Sequence, residues 1–211
     1  MLLGFLAAVG ALTLLTVLPG PDFAVVVRWA AYAGRRSGLL ASCGVAAGLL
    51  VWGALTVLGL SALLAASPIG YAVVRCLGAA YLIWMAGRLL WRSFHEHGSP
   101  PPGPDSSPRP RGSRVAPFRQ GLLTNLLNPK IAAFYVGVLP LLVPQGAPRA
   151  LTLVVLVLCH VVLGLLWLGL VSVLVAQGGQ VLTRPRVRAW LDRVTALVLL
   201  GFAARLAFVT Q

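Results

Sequence analysis

Acidic residues are nearly missing from this chain: four Asp and Glu stand among 211 residues. Lysine is scarcer still, with Lys130 the only one, so arginine supplies the rest of the 17 basic side chains. Charged residues reach 10%, against about 25% in average globular chains, while hydrophobic residues make up 59% and mean hydropathy is +0.91. That composition excludes an ordinary soluble domain. The scarcity of acids also leaves no paired aspartates. With no His-Glu-x-x-His run and no serine–histidine arrangement in a supporting context, nothing indicates an enzyme. Three cysteines, Cys43, Cys76 and Cys159, fall in apolar segments at no metal-like spacing, and they read as small apolar residues buried in a core. His95 and His97 flank Glu96 in a polar segment with no further ligands, so neither a metal nor a cofactor is expected.

What the chain has in quantity is long apolar sequence. A transmembrane helix needs roughly 20 mainly apolar residues, and six segments qualify: 2–28, 38–65, 68–90, 118–143, 150–176 and 190–209. The expected fold is an all-α integral membrane protein with six spans. The first segment is read as a retained span, because no basic residue precedes it and Leu18-Pro19-Gly20-Pro21 is not a small-x-small cleavage site.

A net charge of +13 would suggest nucleic acid as the partner of a soluble protein, but here the arginines collect in alternate connections. Arg28, Arg35 and Arg36 mark the first, Arg92 to Arg119 the third, and Arg184 to Arg193 the fifth, while the second has none and the fourth only Arg149. Positive charge marks cytoplasmic loops. The expected placement is therefore a multi-pass membrane protein, its partner the lipid bilayer, with both termini outside the cytoplasm. Trp29, Trp91 and Trp190 near segment ends read as interfacial anchors. Gly44 and Gly48 form a GxxxG suited to close helix packing, within one protomer or in a homo-oligomer.

Residues 93–117 are rich in Pro, Ser, Gly and Arg and cannot bury enough apolar surface to order themselves. They divide the chain into a first repeat (1–92), a flexible cytoplasmic linker (93–117) and a second repeat (118–211). A shift of about 108 positions sets Leu14 to Ala24 over Leu122 to Ala132, matching Thr16 with Thr124 and Pro21 with Pro129. Three spans per half give the second half the opposite orientation, a 3+3 inverted-topology repeat of the kind found in secondary transporters.

The functional signal lies at the matched positions. Pro19, Gly20 and Pro21 should break the first span, and Asn128 with Pro129 the fourth, because proline removes a helix hydrogen bond and crowds the preceding turn. Asp22 follows the first break and Lys130 the second, and Asp22 is the one acid set well inside an apolar stretch. A charge at the bilayer centre costs about 2.5–3.5 kcal/mol on insertion scales, so such residues mark function by default. Freed backbone groups and half-helix dipoles can receive the amine and carboxylate of a zwitterion. Asp22 and Lys130 are expected to pair or to share a polar cavity, Asp22 holding a proton or a substrate ammonium and Lys130 a substrate carboxylate. Asn125, Asn128, Thr16 and Thr124 are the neutral candidates for lining it. A structural ion pair fixing helix register is the competing account. Arg75, Arg205 and His160 are weaker candidates, the arginines as snorkelling side chains and His160 as a hydrogen-bonded core residue.

These residues also resemble a known family. Pro19-Gly20-Pro21-Asp22, Gly34-Arg35-Arg36-Ser37-Gly38-Leu39, Gly59-Leu60-Ser61, Gly78-Ala79-Ala80-Tyr81-Leu82 and the run from Phe118 to Lys130 occur in the order and spacing of the LysE/RhtB amino-acid exporters. The resemblance covers most of the chain outside the linker. It implies export of an amino acid or related small amino metabolite from the cytoplasm, coupled to protons, across a bacterial cytoplasmic (inner) membrane. One departure is Trp52, where relatives carry a histidine in a Leu-Leu-Val-His-like context. The alternatives are an exporter of a metal or inorganic ion on a related fold, which would need clusters of intramembrane ligands, and a non-transporting structural membrane protein.

Overall fold

The computed structural model of the chain describes residues 2–95, 115–144, 146–178 and 185–208. All regular structure among them is helical, as lipid requires of an apolar chain that must satisfy its own backbone groups. The helices are α1 (Leu2–Val17), α2 (Pro21–Ala66), α3 (Pro68–His95), α4 (Val115–Leu126), α5 (Pro129–Ala133), α6 (Arg149–Ala176) and α7 (Pro185–Phe208). A π-helical turn, Phe134–Val138, and a 3₁₀ turn, Leu139–Leu142, continue α5. Pro140 accounts for the irregularity, since it has no N–H to give to the carbonyl of Val136.

Proline and glycine set the other interruptions. Between α1 and α2 lies Leu18-Pro19-Gly20, with Pro21 opening α2, the helix position where a missing N–H costs nothing. Gly34, at φ 79° and ψ 176°, divides α2 into two helical pieces; that left-handed φ is open to glycine and strained for other residues. Between α4 and α5 lie Leu127 and Asn128, and the axis bends there by 47°. By length and apolarity α2 and α6 can each cross a membrane, and α4 with the bent run to Leu142 makes a third span. Leu2–Val17, Cys76–Trp91 and Arg193–Ala204 are apolar helices of shorter length.

The packing is built around α2, which lies against α4 and α6, while α3 lies against α7 and α1 against α6. The α2–α4 crossing is close. A Cβ on Gly44 would collide with the carbonyl of Phe118, and one on Gly121 with the carbonyl of Ala41. The GxxxG at Gly44 and Gly48 therefore serves contact within the protomer, where small residues let backbones approach. The larger apolar core gathers Leu12, Leu15, Leu82, Phe134, Tyr135 and Leu156, and a smaller one holds Val26, Ala41, Val45 and Leu168. Leu158, Val162 and Leu166 of α6 face outward, as suits a helix bordered by lipid.

Two expectations change. Cys43 and Cys76 lie on the exposed surface and Cys159 is half-buried, where burial was expected for all three. In a bilayer the surroundings are as apolar as the core, so a small apolar side chain has no reason to turn inward. The helices also run into both ends of the segment read as a linker. Ser93 is buried in α3, where it accepts from Arg193 Nε at 3.1 Å, and the same guanidinium reaches the Ser93 carbonyl at 3.4 Å. An arginine at the carbonyl end of a helix is favourably placed. The linker's central residues, including Glu96 and His97, and the side chains of His95, Arg75 and Arg205 lie outside the described residues.

Candidate functional site at the two helix breaks

Pro19 lacks the N–H that an unbroken helix would place on the carbonyl of Leu15, and the gap leaves the carbonyl of Leu18 free as well. Both accept from one donor: Lys130 Nζ lies 3.2 Å from the Leu15 oxygen and 3.1 Å from that of Leu18. Lys130 comes from the start of α5, 112 positions away from Leu18 and only 5% exposed. A cation is poorly placed at its own helix N-terminus, and the long side chain carries it to the negative C-terminal end of α1 instead. Gly20 borders Nζ closely: a Cβ there would stand 3.6 Å away, in ordinary van der Waals contact.

Asp22 lies in the first turn of α2, where the helix dipole favours an acid. Its Oδ2 accepts from Asn125 Nδ2 at 2.8 Å, and Asn128 also faces the carboxylate. Asn125 is fully buried, in the last turn of α4. Asn128 caps α5, its Oδ1 accepting from the Lys130 backbone N–H at 3.1 Å. Asp22 Oδ1 and Asn125 Oδ1 are buried and make no hydrogen bond of ordinary geometry. Such acceptors are uncommon in protein interiors and call for a donor.

Asp22, Lys130, Asn128 and Thr16 line one cavity of about 40 Å³, together with Leu15, Leu18, Gly20, Leu49, Ile131 and His160. A water needs on the order of 10–15 Å³, so this conformation has room for a few waters and not for an amino acid. The two charges share the cavity, and the hydrogen bonds of each run to other partners. Thr16 also donates to the Leu12 carbonyl at 2.7 Å. Asn125 meets the site through its bond to Asp22 without lining the cavity, and Thr124 does not line it. It precedes Asn125 by one position, and neighbours on a helix point about 100° apart. Pro129 is exposed and acts through the break alone.

Sequence reasoning gave too little weight to one pair. His160 of α6 is 2% exposed, lines the cavity, and its Nδ1 lies 3.1 Å from the Tyr135 hydroxyl, with the two rings stacked. Tyr135 sits in the π-helical turn, and its carbonyl accepts from Thr56 Oγ1 at 3.3 Å. Nothing in the sequence sets Tyr135 apart from other apolar-segment tyrosines. Trp52, the departure noted above, packs against the same core with its indole N–H unpartnered. Among the described residues no three His, Cys, Asp or Glu side chains converge as a metal site would need.

A chain with two broken helices, opposite charges at matched breaks and a shared central cavity has the parts of a small-solute translocator. Its relatives fit that description. The membrane protein YrhP of Bacillus subtilis (strain 168), described as uncharacterized, is 26% identical over 204 residues, 95% of this chain and 96% of its own. A leucine efflux protein of Klebsiella pneumoniae is 31% identical over 211 residues, 94% and 92% of the two chains. A leucine efflux protein of Salmonella choleraesuis is 29% identical over 215 residues, 94% and 92%. No solved structure matches. The family model for the LysE type translocator matches residues 13–210, and the chain belongs to that family of membrane transporters.

Proposed function

We propose that this transporter exports an aliphatic amino acid of the leucine type from the cytoplasm, in exchange for protons, through six spans arranged as a 3+3 inverted repeat. The observation that carries the reading is the meeting of the two breaks: a side chain that follows the second break caps the carbonyls left open by the first. Leu49, Ile131 and Leu168 around the cavity suit a branched aliphatic side chain, while the charges and half-helix ends suit the ammonium and carboxylate. Asp22, the only carboxylate lining the cavity among the described residues, is the proposed proton carrier. The leucine efflux relatives support the substrate class.

The packing supports the repeat. Exchanging the first three spans for the last three turns the contact of α2 with α4 into that of α6 with α1, and both contacts occur. The contact of α3 with α7 maps onto itself and occurs, while that of α2 with α3 has no counterpart of similar extent between α6 and α7 among the described residues. In this reading the termini lie outside the cytoplasm and the arginine-rich connections inside.

The test is efflux from cells preloaded with a panel of labelled amino acids, with and without the protein at matched membrane expression. Faster loss of leucine and its branched relatives, slowed when the proton gradient is collapsed, is the expected result. Release of another class alone would redirect the substrate assignment, and no release would return the chain to the structural reading.

A further inference from the structure

Two sets of hydrogen-bond acceptors stand at the centre of the protein, and one ammonium. The first set is the carbonyl pair of Leu15 and Leu18, at the negative end of the α1 half-helix, which Lys130 Nζ occupies at 3.2 and 3.1 Å. The second is Asp22 Oδ1, a buried carboxylate oxygen with no donor. Its carboxylate accepts from Asn125 through the other oxygen, and Asp22 lines the same cavity as Lys130. Both suit a compact cation with several N–H donors, and the primary ammonium of an amino acid has the chemistry of the lysine head group. With Lys130 on the carbonyls, the cavity measures about 40 Å³ and admits no amino acid.

Resting on the exporter reading, we infer that the Leu15 and Leu18 carbonyls are the seat of the substrate's ammonium, and that Lys130 is a tethered place-holder for it. An arriving amine takes the carbonyls and Lys130 moves to the Asp22 carboxylate, so that both acceptor sets are satisfied while cargo is held. On release Lys130 returns to the carbonyls. The carrier then reorients without cargo and without leaving those carbonyls open in a medium of low dielectric, where unpaired backbone groups are costly. The exchange is a pure swap of hydrogen-bonded cations; no covalent bond changes.

A place-holder is needed for the return of the unloaded carrier and far less for exchange of one loaded substrate for another. Net efflux and exchange of tritiated leucine should therefore be measured side by side in proteoliposomes, for wild type and for Lys130→Met and Lys130→Gln. The expected result is a fall of at least tenfold in the ratio of net efflux to exchange in both variants. A Lys130 that only binds the carboxylate, or only holds the fold, would lower the two rates together, and an unchanged ratio overturns the inference.

A second measurement needs no variant. Because Lys130 is the only lysine, selective 15N-lysine labelling puts a single ammonium signal in the spectrum. Leucine and isopentylamine, which both carry the amine, should shift it, and 4-methylpentanoate, which carries only the carboxylate, should not. A signal moved by 4-methylpentanoate and not by isopentylamine, or one that leucine leaves in place, overturns the inference. Wild-type vesicles that transport no amino acid would instead remove the exporter reading, and this inference with it.

Discussion

Asn125 gives its side-chain N–H to the Asp22 carboxylate at 2.8 Å, joining the last turn of α4 to the first turn of α2. With the Lys130 bonds to Leu15 and Leu18, this makes the first break a joint structure: its acid and its open carbonyls are both completed from the second half of the chain. Neither half carries a finished site. In the proposed transport cycle, movement of one half against the other breaks and re-forms these same bonds.

The Asn125 bond gives a direct expectation. Asn125→Ala removes the N–H that Asp22 Oδ2 accepts at 2.8 Å, and a hydrogen bond to a charged group contributes about 1.5–3 kcal/mol. Leucine exchange should fall roughly tenfold or more, by that energy, with the melting temperature in detergent also lowered. Asn125→Gln should not rescue it, because a Cβ on Gly48 would already collide with the Asn125 amide oxygen and a longer side chain has no room. Wild-type exchange in Asn125→Ala would remove this bond from the mechanism.

Gly44→Ala should act on stability before it acts on transport. The added methyl meets the Phe118 carbonyl and, at 2.8 Å, the Leu122 nitrogen, so α2 and α4 must separate. Overpacking of this kind costs roughly 1–3 kcal/mol. Gly87→Ala is the control, since a Cβ there meets nothing within 4 Å. Thermal unfolding in detergent should fall for Gly44→Ala and hold for Gly87→Ala; equal behaviour of the two would mean that the crossing yields easily.

The breaks were legible in the sequence because proline and glycine act locally, and Asp22 and Lys130 because charge is rare within apolar segments. The partners of Lys130 were not legible: they are main-chain carbonyls, which every residue carries, and only the geometry of the break exposes these two. Thr124 failed because a matched position in a repeat does not fix which way a side chain points beside a bend. Tyr135 and His160 were missed as a pair because Tyr135 lies within a π-helical turn, whose wider winding shifts the register on which any helical-face argument depends.

Tyr135→Phe isolates the missed pair. It keeps the ring that stacks on His160 and removes the hydroxyl 3.1 Å from Nδ1. Leaving a buried polar group unsatisfied costs about 1–3 kcal/mol. Thermal stability should drop, and exchange should slow if His160 orients groups in the cavity that it lines. His160→Phe, which removes the orphan as well, should recover stability and not transport. Recovery of both would leave the pair a structural feature.

The topology can be checked without transport. A periplasm-dependent reporter should be active at either terminus, and a cytoplasm-dependent one active when inserted within residues 93–117. Cytoplasmic signal from one terminus alone would mean an odd number of spans and would dismantle the inverted repeat.

The sharpest expectation concerns Pro19. Replacing it with alanine returns an N–H that can reach the Leu15 carbonyl, so the helix can propagate into the break and compete with Lys130 for its acceptor. Proline to alanine gains up to about 3 kcal/mol in a helix interior, less here because Gly20 and Pro21 still interrupt. Pro19→Ala should therefore raise the melting temperature while net leucine efflux falls, a stability gain paired with a functional loss. Loss of both would mean that the break is needed for folding. Unchanged efflux would mean that the Leu15 carbonyl serves only the fold, leaving Leu18 as the one carbonyl at this break available to bind an ammonium.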